Sequence, residues 1–376
     1  MPLETPELHT SLQKLLVGLI LILVPLTVFG FYVALQGDTH IRQVNGENFR
    51  SLTRTTAEST SEFIAGCVKD VSLIANNPGP VEAVTLANRQ YDRLSEDAVR
   101  TKIDTLDQAW ESSETDALSA KILTSDLARQ LRRTRELNPT LLKITIADVT
   151  GATVAATDRP AHYAQTDQAS WQALSSQGLG AIHVSDLRYD DQRHLYYLSI
   201  AYPILQEGTG RFIGAVTAMA DVSPLFAQLN RRQMGSTGRL TLVSEDGTVI
   251  EAPGVAPSTK MKSEEFAAIR DALGSVRGRE AGYIFATLSN GESYLIGFAD
   301  TGLKDAYPSL PWIVLASQEA REVTGPVRNM TAFALVLMVF SLLMLSLLGA
   351  YVFLHRRQRL EDIEAPEDKP RPVAAA

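Results

Sequence analysis

The chain has 376 residues, of which 45% are hydrophobic and 21% are charged, and its formal net charge is −8. A chain of this length can form two globular domains with additional segments. The acidic balance argues against the basic surface that nucleic-acid-binding proteins present, so no nucleic-acid partner is predicted. Cys67 is the only cysteine, which excludes an intrachain disulfide.

Two long apolar runs lie near the ends of the chain. Residues 15–35 and 332–354 contain no Asp, Glu, Lys or Arg, and a helix needs roughly 20 apolar residues to cross a bilayer. His355 and three arginines follow the second run, a basic cluster typical of the cytoplasmic end of a span. The sequence therefore predicts transmembrane helices at 15–36 and 332–354. A cleaved signal peptide is the alternative for the first run.

Helical patterns fill the next part of the chain. The stretch 39–75 has apolar residues at every third or fourth position and no proline, which predicts one long helix. The segment NNPGP at 76–80 interrupts it, and a second helical region follows up to Asn138. We predict that residues 37–140 form a helical stalk.

Two stretches of the chain then repeat one pattern. Residues 143–156 read KITIADVTGATVAA, and residues 239–252 read RLTLVSEDGTVIEA. Each begins with a cation, alternates apolar with polar residues, and reaches a glycine (Gly151 or Gly247) before a second β-branched run, which predicts a hairpin. With its hairpin included, each copy shows helix and strand signals in the order β-β-α-β-β-β. The predicted fold class is α+β, with two tandem antiparallel-sheet modules at 141–222 and 223–325.

The order of these features resembles the double-Cache sensor domain of bacterial membrane receptors, a tandem PAS-like fold. The resemblance covers about residues 37–325. Several local phrases carry it through their order and spacing: GATVAATD (151–158), WQALSSQGLGAI (171–182), YLSIAYPI (197–204), RFIGAVTAMADVSPL (211–225), GSTGRLTLVSEDGTVI (235–250) and LPWIVLAS (310–317).

This resemblance implies a membrane-distal module at 141–222 that holds a small ligand, and a membrane-proximal module at 223–325 that passes the signal to the second span. It also implies that the long helix takes part in a homodimer. Together with the two spans, it implies a bacterial inner-membrane protein with a periplasmic or extracellular ectodomain. Both termini are then cytoplasmic: a tail at 1–14 and a charged, proline-rich tail at 355–376 that is predicted to be disordered.

The distal module contains side chains that suit a pocket for a small polar metabolite, which needs an aromatic wall and a few placed charges. Carboxylates at strand ends could pair with an amine. The candidate ligand-binding residues are Tyr163, Trp171, Asp186, Tyr196 and Asp221. Each has a structural alternative: core packing for Trp171, strand propensity for the tyrosines, a solvated turn for Asp186 and a helix cap for Asp221.

The charge of the ligand stays open at this point. Amino-acid-binding members of the family are similar in having an Arg two residues before the Trp, a Tyr just after it, and a late Asp. Trp171 and Asp221 match, but the other two positions are Ala169 and Gln172. That departure favours an amine or a neutral ligand. Four basic side chains could instead serve an anion: Arg159, His162, Arg188 and Arg193.

Three classes of function compete. The first is a ligand sensor without an output domain of its own, which signals through a separate partner protein. The second is a binding or scaffold ectodomain that does not signal. An enzyme is not expected, because the six histidines show no zinc-ligand spacing and GSTG at 235–238 is not a nucleophile elbow. No catalytic residue, metal or cofactor is predicted.

Overall fold

The computed structural model describes residues 12–111, 116–166, 168–176, 181–231, 234–255, 260–275 and 281–364. The chain divides into two units. One unit comprises Gly46–Ala320 and contains both sheets, and the other comprises the residues up to Asn45 and from Arg321 onward.

The unit at the chain ends contains parts of two long helices. The first, α1 (Leu12–Ala75), joins the first apolar run to the predicted helix at 39–75 without a break. The last, α10 (Ala320–Glu364), extends into the tail. Residues 355–364 are therefore helical, whereas disorder was predicted from residue 355, because the chain there is rich in residues of high helix propensity. Residues 1–11 and 365–376 of the predicted tails lie outside the described residues.

Within the part of the chain that the structure describes, no helix combines the length and the apolar character that crossing a membrane requires. The spans at 15–36 and 332–354 stay predictions from the sequence.

Among the described residues, four shorter α-helices follow α1, where one irregular helical region was predicted. The side chain of Asn77 accepts a hydrogen bond from the backbone N–H of Gly79 at 3.1 Å, so the segment NNPGP both ends α1 and caps the next helix. Ser125 caps another by accepting from the N–H of Ala128 at 3.1 Å. The helices are α2 (Pro78–Asn88), α3 (Glu96–Glu111), α4 (Asp116–Thr124) and α5 (Asp126–Leu137).

The distal module is an antiparallel sheet with the strand order β2-β1-β6-β5-β3, and β4 also pairs with β5. One strand was predicted around residues 181–190, but the structure divides it into β3 and β4. The reason is local: the hydroxyl of Ser185 accepts the backbone N–H of Ser199 at 2.9 Å. The elements are β1 (Leu141–Asp148), β2 (Thr153–Ala156), α6 (Ala169–Ser176), β3 (His183–Val184), β4 (Arg188–Asp190), β5 (Leu195–Leu205), β6 (Phe212–Asp221) and α7 (Ser223–Arg231).

The proximal module repeats this arrangement, with the strand order β8-β7-β11-β10-β9. Its β9–β10 hairpin turns at Asn290 and Gly291, as predicted, and Gly291 has a φ of 78°. The α+β class with a long N-terminal helix and two antiparallel sheets is thus confirmed. The elements are β7 (Arg239–Ser244), β8 (Val249–Glu251), α8 (Glu264–Ser275), β9 (Ala281–Thr287), β10 (Ser293–Asp300), α9 (Leu303–Ala306) and β11 (Trp312–Glu319).

The repeated glycines occupy equivalent turns. Gly151 and Gly247 have φ values of 83° and 81°, a left-handed conformation that disfavours a side chain. A Cβ on Gly247 would meet the ring of Phe266 at 2.5 Å, and one on Gly151 would meet the ring of Trp171 at 3.3 Å. Trp171 on α6 and Phe266 on α8 therefore each pack against the turn of their own module.

Cys67 is only 3% exposed on the apolar side of α1. Burial, with a smaller contribution from Asp70, raises the pKa of its thiol to about 11. We expect an aromatic disulfide reagent to label Cys67 in the native protein about 100-fold more slowly than an exposed thiol, because the thiolate is the reactive form. The control is Glu62→Cys in a Cys67→Ser background, since Glu62 is exposed on the same helix. Equal labelling rates would contradict the buried placement.

Candidate functional site

One face of the distal sheet collects polar side chains that are only half-buried. The register pairs Lys143 with Met219, and Met219 with Ser199. It likewise pairs Thr145 with Thr217. Directly paired residues of antiparallel strands project to the same side of the sheet, so all of these side chains share one face. The opposite face is apolar, with Ile144, Ile146, Ile200, Val216 and Ala218 fully buried.

The register extends this face toward the edge of the sheet. Tyr197 pairs with both Asp221 and Arg188, and His183 pairs with Ala201 beside Thr217. We term the resulting surface the polar face. Its polar or half-buried members are Lys143, Thr145, His183, Arg188, Tyr197, Ser199, Thr217, Met219 and Asp221.

Lys143 is the cation at the middle of the polar face. The described residues provide it with no hydrogen-bond or ion-pair partner. The acid that follows β2, Asp158, is bound instead by Arg135 at 2.7 Å and by the hydroxyl of Thr157 at 2.8 Å. An ammonium group can form a charge-assisted hydrogen bond with an anion, and such a bond is stronger than a neutral one.

His183 provides a titratable group at the edge of the polar face. Burial lowers the pKa of its imidazole, and the negative charge of Asp186 partly opposes that effect. Asp186 itself is exposed in the loop between β3 and β4. The predicted ligand residue Asp186 thus lies beside the polar face, where its charge affects the pKa of His183.

Asp221 is the predicted site residue that the register places on the polar face. Its Oδ1 accepts the backbone N–H of Ser223 at 2.8 Å, which caps α7. The capping role and the position on the polar face are compatible, because a carboxylate has two oxygens and several acceptor positions.

Trp171 and Tyr163 pack in the apolar parts of the distal module. Trp171 is 6% exposed, contacts Ala147, Ala201 and Ala215, and stacks on Phe212 at a centroid distance of 5.7 Å. Its contact with Ala201 brings it to the border of the polar face.

Tyr163 is also 6% exposed and lies 6.0 Å from the ring of Trp110. Burial and the nearby Asp148 raise the pKa of its hydroxyl to about 12. Its backbone N–H donates to Asp107 at 2.7 Å. These contacts give Tyr163 a packing role in the wall of the module.

Tyr196 projects away from the polar face, because it alternates with Tyr197 on β5. Its ring meets Phe226 of α7 edge-on at 4.8 Å, and Phe226 lies 6.5 Å from Trp312 of β11. Burial and the charge of Glu251 on β8 raise the pKa of its hydroxyl. Tyr196 therefore joins the distal sheet to the proximal module and is separated from the other predicted site residues by the sheet itself.

In the proximal module, the position equivalent to Lys143 is occupied by Arg239, which pairs in register with Ser317. The guanidinium of Arg239 binds the carboxylate of Glu265 on α8, and Ser263 donates to the same carboxylate at 2.8 Å. Glu265 is 8% exposed. Burial alone would raise its pKa, but a bond from its own backbone N–H and the charge of Arg239 together hold the pKa below the usual range.

One group of side chains has metal-ligand character. Asp107, Glu111 and His162 bring ligand atoms within 4.8 Å of one another. Asp107 already accepts two backbone N–H groups, from Tyr163 and Ala164, and His162 contacts Glu111 at 3.2 Å. These bonds attach α3 to the loop after β2. Arg159 and His162 are two of the basic side chains that were considered for an anion, and both are engaged here. His162 contacts Glu111, and the guanidinium of Arg159 lies 4.6 Å from the centre of the Trp110 ring.

Comparison with protein families gives one match. The family model described as Cache domain, of the double type dCache_1, matches residues 38–327. The chain belongs to the double-Cache family. The tandem PAS-like fold and the class of extracytoplasmic sensory domain are thereby confirmed for this Cache protein.

Solved structures with a similar fold are ligand-binding domains of chemoreceptors. One is the amino acid chemoreceptor PctC of Pseudomonas aeruginosa PAO1 in complex with GABA (14% identity, 71% of this chain and 96% of that chain, TM-score 0.43). Another is PctB of the same organism in complex with L-Arg (18% identity, 74% and 97%, TM-score 0.44). A third is Tlp3 of Campylobacter jejuni with isoleucine bound (12% identity, 76% and 97%, TM-score 0.49). No curated protein matches the chain.

Proposed function

We propose that this Cache protein is a sensor that binds a small molecule on the polar face of its distal module and passes the event on through its proximal module. The observation that carries the proposal is the contrast between the two sheets. The distal sheet leaves Lys143 half-buried without a partner among the described residues, whereas the proximal sheet pairs Arg239 with Glu265. A few placed charges beside aromatic side chains suit a small metabolite.

Strand β5 provides the route from the site to the proximal module. Tyr197 and Ser199 lie on the polar face, while Tyr196 on the reverse side contacts Phe226. A ligand that binds one conformation of this strand better than another shifts the population toward it. The same displacement reaches the proximal module, because the two sets of side chains share one backbone.

The proposal includes anchoring in a bacterial inner membrane by residues 15–36 and 332–354, with the Cache modules outside the cytoplasm. It is supported by the charge-free runs and by large apolar side chains that are exposed on both helices, among them Phe29 at 65%, Phe333 at 66% and Phe340 at 64%. We expect the protein to stay in the membrane pellet after alkaline carbonate extraction. Added protease should digest the modules in spheroplasts and spare them in intact cells with a sealed outer membrane. Release by carbonate would contradict the anchoring.

A thermal-shift screen of the full chain in detergent tests the binding function. A ligand at 100 times its dissociation constant adds about 2.7 kcal/mol of stability, and we expect the unfolding temperature to rise by several degrees for at least one compound in a broad metabolite library. Asp221→Asn should reduce that shift, while Asp191→Asn, an exposed turn position, should leave it unchanged. A library without any stabilising compound would favour the non-signalling scaffold over the sensor.

The homodimer, the separate output protein and the absence of enzymatic activity are further parts of this proposal. Cross-linking in cells that express the tagged full chain addresses the first two, because a partner or a second copy would appear as a discrete adduct.

A further inference from the structure

A pocket of about 210 Å³ lies at the C-terminal end of α1. It is enclosed by the last turns of α1, the start of α2, helix α5 and the first residue of β1. That residue, Leu141, pairs with Ala220, which in turn pairs with Leu198, and all three are buried on the apolar face of the distal sheet. The sheet therefore separates this pocket from the polar face. We term it the tip pocket.

The walls of the tip pocket are mainly hydrocarbon. Leu131 is 2% exposed and Leu141 is 1% exposed, whereas Leu73 stands at the rim and is 61% exposed. Pockets that hold small molecules combine such apolar walls with a few placed polar groups. The apolar lining residues are Leu73, Ile74, Pro80, Leu127, Leu131 and Leu141.

Asp70 is the one charged side chain among the described residues that line the tip pocket. Its Oδ2 accepts a hydrogen bond from the side-chain amide of Asn138 at 2.6 Å. Over the described ranges, no lysine, arginine or histidine forms an ion pair with this partly buried carboxylate. Burial raises the pKa of the Cys67 thiol, one turn earlier on α1, and the charge of Asp70 raises it further. The negative charge of Asp70 is thus felt by its surroundings.

The other polar groups of the tip pocket can act as acceptors. Oδ1 of Asn77 accepts the backbone N–H of Gly79 at 3.1 Å, and the hydroxyl of Thr134 donates to the backbone carbonyl of Gln130 at 3.2 Å. The side-chain Oε1 of Gln130 lies 2.9 Å from the place that a Cβ on Gly79 would take, so the glycine leaves room for this amide. Hydroxyl and amide oxygens have lone pairs for further bonds. A hydrogen-bond donor with a positive charge matches this set.

We propose that the tip pocket binds a small primary alkylammonium ion, with the ammonium group on Asp70 and the alkyl group against the leucine side chains. A primary ammonium group has three N–H donors, and its bonds to a carboxylate are charge-assisted. This inference goes beyond the proposed sensor function, because it gives the chain a second binding site on the other side of the distal sheet. A ligand there contacts α1, α5 and β1 together and so holds the end of the long helix against the module.

The test uses matched compounds that differ in charge and in donors. Titration calorimetry on the full chain in detergent compares isobutylamine with isobutanol, tetramethylammonium and isobutyrate. Isobutanol has the alkyl group without the charge, tetramethylammonium has the charge without an N–H donor, and isobutyrate has the opposite charge. We expect isobutylamine to bind at millimolar concentration or below, and each of the others at least tenfold more weakly. Asp70→Asn should lower the affinity for isobutylamine at least tenfold, whereas Asp92→Asn, at an exposed carboxylate after α2, should not change it.

A second variant tests the location without changing the charge of the pocket. Leu73→Trp places an indole ring at the rim and should prevent isobutylamine from binding. Leu86→Trp is the control, because Leu86 is 68% exposed on α2 and does not line the tip pocket. Both variants should keep the unfolding temperature of the unmodified chain, since both positions are exposed.

The outcomes separate this inference from the sensor function. Undiminished binding of isobutylamine by Asp70→Asn or by Leu73→Trp overturns the inference, and so does equal affinity for isobutanol. Loss of binding in Asp221→Asn with retention in Asp70→Asn would assign the ammonium group to the polar face and overturn it as well. Absence of isobutylamine binding to the unmodified chain at millimolar concentration also overturns it. The sensor function is tested separately by the metabolite screen.

Discussion

Substitution of Trp110 by alanine is expected to lower the free energy of unfolding by about 4 kcal/mol, within the range for buried tryptophan residues. Trp110 is 1% exposed and packs against Ile122, Ala152 and Tyr163. Its indole N–H donates to the backbone carbonyl of Pro160 at 3.0 Å. Removing the side chain opens a cavity between α3 and the hairpin β1–β2 and leaves that carbonyl without its donor. Denaturant unfolding of the full chain in detergent, followed by circular dichroism, measures the loss.

Two companion variants separate the causes. Trp110→Phe retains most of the apolar packing but removes the indole N–H, so we expect about 1–2 kcal/mol of destabilisation from it. Gln108→Ala is the control, because Gln108 is exposed on the same helix and should change stability by less than about 0.5 kcal/mol. A loss under about 1 kcal/mol for Trp110→Ala would show that α3 does not pack as described.

Substitution of Arg239 by methionine is expected to have the second large effect. It should lower the free energy of unfolding by about 2–3 kcal/mol at neutral pH. Removing one member of a buried ion pair costs about 3–5 kcal/mol, and the lower figure applies because Arg239 is 48% exposed and partly screened by solvent. Glu265 would stay buried at 8% exposure without its cation. The hydroxyls of Ser263 and Ser317 also donate to this carboxylate, but neutral donors do not cancel its charge.

The pH dependence of this variant has a definite sign. In the native protein the pKa of Glu265 is lowered. Its ionised form therefore stabilises the fold at pH values above the pKa of glutamate in the unfolded chain, about 4.3. That contribution is lost as the pH falls through the pKa of the folded protein. Without Arg239, burial dominates and the pKa rises. The difference in stability between the two proteins should therefore shrink as the pH falls from 7 toward about 4.

Lys262→Met provides the matched control, since Lys262 and Asp246 form an exposed ion pair at 2.6 Å in the same module. Loss of an exposed pair should cost less than about 1 kcal/mol. If Arg239→Met were no more destabilising than Lys262→Met, or if its effect grew on acidification, the buried pairing of Glu265 would be refuted.

Strand register decides on which face of the sheet the side chain of each candidate residue lies. Asp221 and Tyr196 were chosen for their chemistry, but Tyr197, and not Tyr196, pairs with Asp221. A shift of one residue moves a side chain to the other side of the sheet.

Lys143 is a second residue whose position in the fold could not be predicted from the sequence alone. Its cationic character was visible at the start of the repeat, where Arg239 matches it. Nothing local distinguishes the two positions, so the sequence offered no reason to select one of them for a ligand.

The sequence by itself determined the two-module α+β architecture, because alternating apolar residues, turn glycines and helix caps act over a few residues along the chain. Only the tertiary structure showed which module pairs the cation at the start of its first strand with a carboxylate. Arg239 and Glu265 are 26 residues apart and meet when α8 packs on the sheet. Lys143 has no such partner among the described residues. Electrostatic pairing depends on distance in space, and that distance is set by packing.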